Sequence, residues 1–159
     1  MEPILATDPA LTDVLDALVR REPIFHRPEF GTTRDALERM TDAAFWEVGA
    51  SGRRYSRKYV IDTVLARHAN PTPDLWQAEG FHCLEIAPDN FLLTYTLRQG
   101  ERTTRRATIW RRDGDAWRIV FHQGTVVAPP DAQSQGDRPS RPVETHPGDA
   151  NTPPPQAVL

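Results

Sequence analysis

Two residues of this chain combine acid/base chemistry with a strand setting. They are Glu47, in Phe45-Trp46-Glu47-Val48, and His122, in Phe121-His122-Gln123-Gly124-Thr125. A carboxylate held between large apolar neighbours is a candidate for desolvation, the setting in which carboxylates act as general acids or bases. An ion pair with Arg53 or Arg27, or simple exposure, is the alternative reading for Glu47. A histidine titrates near neutral pH and can serve as a base or hold a ligand, although a lone strand histidine also serves as an ordinary core residue. His122 and Gln123 fall on opposite faces of their strand, so only one of them can enter a given pocket. Gln123 can orient a ligand through its amide or bond a neighbouring strand.

Other candidates are weaker one by one. Tyr55, Tyr59, Tyr95, Trp46 and Trp110 can together line an aromatic pocket, with the phenols as hydrogen-bond donors, or simply pack as core. His82 resembles His122, on a strand too irregular for its face to be assigned. Cys83, with Phe81 and Leu84 as apolar neighbours, reads as a buried, inert thiol. No H-x-H or H-E-x-x-H spacing occurs among the five histidines, so no metal is expected. Gly49-Ala50-Ser51-Gly52 matches neither a nucleophile elbow nor a phosphate loop, and no cofactor is implied. Arg98, Arg102, Arg105, Arg106, Arg111, Arg112 and Arg118 cluster on adjacent strands. They can bind an anion, but neighbouring pairs face opposite ways, and a solvated sheet face or dimer rim is the plainer reading.

The elements that must position these groups are legible. Leu11, Val14, Leu15, Leu18 and Val19 recur at helical spacing behind Asp8-Pro9. Thr32 is a cap for a second helix through Ala36, Leu37 and Met40, and Phe45–Val48 follows as a strand. Ser56 opens a third helix with Val60, Ile61, Val64 and Leu65 on one face, stopped by Asn70-Pro71. Trp76–Ile86, Phe91–Arg98, Arg102–Arg112 and Ala116–Val127 then read as a four-strand meander with turn residues between them. Residues 1–127 carry 17 basic and 18 acidic side chains, so that body is near neutral and a nucleic-acid binder is not expected. Eight of the fifteen prolines lie beyond Ala128, in a polar segment, 128–159, expected to be a disordered tail. The start Met1-Glu2-Pro3-Ile4-Leu5 has no signal-peptide pattern, no apolar run is long enough to span a membrane, and a cytoplasmic protein is expected.

Helix–helix–strand–helix followed by a four-strand meander resembles the nuclear transport factor 2-like (NTF2-like) superfamily, which includes ketosteroid isomerase and SnoaL-like polyketide cyclases. Within it, Phe45–Gly52, the helix start Ser56-Arg57-Lys58-Tyr59 and the ending Trp117–Thr125 are similar to the bacterial group called domain of unknown function 4440. The resemblance covers about residues 11–127. It implies an α+β cone, a curved antiparallel sheet packed on about three helices, enclosing a pocket, and a homodimer joined through the outer sheet face. In the steroid isomerase branch a carboxylate base follows the first strand. Alignment on Gly52 puts Gly49 at that place, with Glu47 two residues earlier on the same face, so a steroid-isomerase mechanism is not expected. The leading expectation is a protein that binds a small, partly apolar molecule. An isomerase, cyclase or hydratase using Glu47 or His122, and a homodimeric protein-interaction module, are the alternatives.

Overall fold

Short polar side chains start the helices. Asp8 accepts from the Ala10 N–H at 2.9 Å, ahead of the turn Pro9–Leu11 and α1 (Thr12–Val19). Thr33, one residue beyond the expected Thr32, accepts from the Ala36 N–H at 3.3 Å and opens α2 (Arg34–Met40). Gly31 accounts for the offset. With φ at 140° it packs so closely on Ala36 that a Cβ at position 31 would lie 2.3 Å from the Ala36 Cβ. Ser56 caps α3 (Arg57–Ala69) as its sequence implies, accepting from the Tyr59 N–H. The computed structural model describes residues 2–71 and 75–128, so apart from Ala128 the expected tail lies outside the described residues.

Among the described residues, six strands form one sheet. β1 (Thr41–Val48) begins directly after α2, and β2 (Arg54–Ser56) is a three-residue edge strand that carries too few side chains to leave a pattern. β3 (Trp76–Ala87), β4 (Asn90–Gln99), β5 (Arg102–Asp113) and β6 (Ala116–Val126) are the expected meander. The order is β2-β1-β6-β5-β4-β3. All neighbours are antiparallel except β1 and β6, which run parallel. The sheet is therefore mixed, and its parallel seam joins the first and last of these strands in chain order.

Alternation along these strands gives the sheet two faces of different character. Helices cover the inner face. Leu18, Leu37, Val60, Ile61 and Val64 are buried against it, together with Phe45, Phe91, Leu93, Leu97, Trp110 and Ile119 from the strands. Burying each such aliphatic side chain contributes about 1.5–3 kcal/mol. One irregularity matters for function. Ile109 pairs with Phe121 while Trp110 pairs with Ile119, so Val120 is an extra residue in β6. That bulge lets Ile119 and His122 both point inward, although strict alternation would separate them.

Candidate functional site

One rung of Cα partners crosses all six strands on the inner face: Tyr55, Glu47, His122, Thr108, Leu93 and Cys83. Glu47 is fully buried and His122 nearly so. The parallel seam sets them side by side, with His122 Nδ1 3.2 Å from Glu47 Oε2. One proton shared between these atoms makes the hydrogen bond, whichever group formally carries it. Neither Arg53 nor Arg27 pairs with Glu47. Arg27 instead binds the Glu22 carbonyl and, at 3.5 Å, Glu29.

The other oxygen, Glu47 Oε1, is buried and has no hydrogen-bond partner. It faces Gly49 and the ring of Tyr55, since a Cβ on Gly49 would stand 3.7 Å from Oε1 and 2.7 Å from Tyr55 Cε2. Glycine is thus required at position 49 for Tyr55 to lie against the strand next to the carboxylate. Thr108 Oγ1, on the rung beyond His122, is also buried and unpartnered. An unmet polar atom in an interior costs about 1–3 kcal/mol, and two on one rung make that rung a candidate site.

The remaining predicted residues divide. Tyr95 and Trp110 are inward and buried, but they converge on a carboxylate that sequence reasoning missed. Glu22, 1% exposed, accepts from Tyr95 Oη and Trp110 Nε1 at 3.1 Å each, and from the Ile24 N–H at 2.9 Å. Burial and then the Glu22 charge push the Tyr95 phenol pKa well up. Tyr55 is half-buried beside Glu47 and stacks on Tyr59 of α3, ring centres 4.9 Å apart, with Tyr59 itself 44% exposed. Trp46, His82 and Gln123 lie on the outer face, away from the dyad, because their strand positions have the opposite parity. Cys83 is inward and buried, as expected, and burial raises its thiol pKa.

Among the described residues a cleft of about 400 Å³ opens on that outer face. Thr94, Thr96, Ala107 and Gln123 form its floor, and Glu2, Pro3 and Leu5 its side. Cleft and dyad are therefore on opposite sides of the sheet. The dyad is the stronger candidate, because it joins two buried titratable groups to an unmet acceptor. Among the described residues no cluster of three or more His, Cys, Asp or Glu could hold a metal ion, and no helix is long and apolar enough to cross a membrane.

No protein-family profile matches the sequence, and no curated protein does. Solved structures do. An NTF2-like protein from Cytophaga hutchinsonii matches with a TM-score of 0.56 at 12% identity, over 70% of this chain and 97% of that one. The fold is the NTF2-like cone. An uncharacterised protein with a cystatin-like fold from Caulobacter vibrioides gives 0.58 at 18% identity, over 78% and 94% of the two chains. A protein of the NTF2-like family from Streptomyces avermitilis, with a proposed dehydratase activity, gives 0.58 at 15% identity, over 74% and 98%. At these identities the NTF2-like likeness fixes architecture alone.

Proposed function

We propose that this NTF2-like protein binds a small, partly apolar molecule between its helices and the inner sheet face, and that Glu47 and His122 move a proton of that molecule. The observation that carries the reading is Glu47 Oε1, a buried acceptor with no partner, in a carboxyl whose other oxygen is fixed by His122. A carboxylate so placed can take a proton from a ligand, while the shared proton on the His122 side orients it and absorbs the change in charge. Reactions that need one proton shifted beside a carbonyl, such as isomerisation or dehydration, fit this arrangement. The resemblance of three segments to domain of unknown function 4440 is part of the same proposal and adds no chemistry to it.

Screening a small-molecule panel by thermal shift tests the reading, with solvent-deuterium incorporation by NMR as the measure of turnover. Ligands that stabilise the native protein should exchange a proton, and Glu47→Gln should stop exchange while leaving much of the binding. Ligands that bind and react equally well in Glu47→Gln and His122→Gln would sink it.

A second reading concerns assembly. The outer-face rung next to the dyad is Trp46, Phe121, Ile109, Leu92 and Leu84, an apolar row across five strands. Trp46 and Leu84 are 44% and 49% exposed, and the Trp46 and Phe121 rings meet at 4.7 Å. We propose that a second copy of the chain covers this row. Sedimentation should report a dimer that Leu84→Asp converts to monomer; a native monomer at all concentrations excludes it.

A further inference from the structure

The arginine cluster separates into two groups once its partners are known. Arg98, Arg105, Arg111, Arg112 and Arg118 each meet a carboxylate, namely Glu79, Glu2, Asp42, Asp89 and Asp113. Arg102 and Arg106 are different. They alternate with Thr104, Thr108 and Trp110 along the inner face of β5, and no carboxylate among the described residues pairs with either. Arg106 is 2% exposed. Its Nε donates to Thr104 Oγ1 at 2.9 Å, and its Nη2 is buried without a partner. The guanidinium lies over Gly124, where an added Cβ would come within 3.3–3.4 Å of Nη1, Cζ and Nε. Arg102, half-buried, has its pKa lowered first by burial and then by repulsion from Arg106, so the two cations are close enough to repel.

A buried guanidinium without a counter-charge is costly, and a second cation beside it raises the cost. Arg106 is one inward position from the dyad on both strands, since Gly124 and His122 alternate on β6 and pair with Arg106 and Thr108. At the strand repeat that separation is about 7 Å. Thr108, whose Oγ1 is also unmet, is the next inward residue after Arg106 on β5 and pairs with His122.

We infer that the ligand of this site carries an anionic group, a carboxylate or a phosphate monoester, which Arg106 and Arg102 receive beside Thr104. This rests on the reading of the inner face as the binding site, and it names the class of molecule bound there. The anion neutralises the buried guanidinium, and a neutral portion a few bonds long extends past Thr108 to Glu47 and His122. The substrate class is thus a short organic acid or its phosphate counterpart, with the reacting carbon two to four bonds from the charge.

The test uses the whole protein with 3-hydroxybutyrate, its uncharged methyl ester and propyl phosphate as probes, followed by calorimetry and NMR titration. The charged probes should bind and the ester should not, the stronger of the two identifying the head group. Arg106→Met should weaken anion binding at least about tenfold, as loss of a charge-assisted contact does, and should raise the melting temperature of the free protein. Gly124→Ala keeps every charge but displaces the guanidinium, so it should weaken the same probes with the fold intact. Equal binding of ester and acid, anion binding that survives Arg106→Met, or no binding of either anion overturns the inference. If neutral ligands still bind in a Glu47-dependent way, the proton-transfer reading stands without the anion site. Anion binding that depends on Arg106 in a protein whose turnover ignores Glu47→Gln leaves the anion site and removes the dyad.

Discussion

Glu22 and Glu47 are both carboxylates with 1% exposure or less, on the same side of the same sheet, and their surroundings are opposite. Around Glu22 donors converge from three elements, the Ile24 backbone, Tyr95 and Trp110, and both oxygens are occupied. Around Glu47 only His122 arrives, and Oε1 is left open. A carboxylate ringed by donors locks the end of α1 to β4 and β5. One left half-satisfied stores a cost that a bound molecule can relieve. Burial does not distinguish the two carboxylates; the count of unmet atoms does.

Removing Glu22 gives the largest expected effect. Glu22→Ala leaves three buried donors without an acceptor and should destabilise the protein by about 3 kcal/mol or more, read as a lower midpoint in urea. Glu47→Gln should change stability by only about 1 kcal/mol, since it can still bond His122, yet should reduce turnover at least about a hundredfold. If Glu47→Gln unfolds the protein and Glu22→Ala does not, the comparison is reversed and the dyad is structural.

Tyr95 sharpens the Glu22 side. Its pKa is raised in the fold, so the fold favours the neutral phenol. That contribution is complete below the ordinary tyrosine pKa and is lost as pH rises through the higher folded-state value. Ultraviolet titration should show one phenol that stays neutral until alkaline unfolding, and Glu22→Gln should let it ionise at lower pH. A native protein in which every phenol ionises in the ordinary range contradicts the arrangement.

The smallest effect belongs to a surface carboxylate. Asp62 receives Arg34 at 2.5 Å and Lys58 at 2.7 Å, and these bonds, Arg34's first, hold its pKa low. Being solvated, the pair is screened. Asp62→Asn should barely move the melting temperature, and what difference there is should vanish in high salt. A large, salt-independent loss would show that α2 and α3 depend on this contact.

Much of the fold was legible because it is written locally. Ser56 caps where it stands, the turns at Gly100 and Gly114 have φ of 59°, and strand alternation predicts which residues face inward. Glu47 and His122 could each be picked out from the chemistry of their side chains. Their meeting could not, because it needs β1 to lie parallel to β6 across 75 residues, and it needs the bulge at Val120 to turn His122 inward. Glu22 gave no signal, since it ends a charged run, Arg20-Arg21-Glu22, that reads as exposed. Arg106 carried a partial one: the alternation Arg102, Thr104, Arg106, Thr108 put it on a single face, but which face was buried depended on the helices. Sequence decides what each segment becomes, because caps, turns and periodicity act within a few residues. Which buried charge finds a partner is decided only in the folded chain, where strands distant in sequence become neighbours.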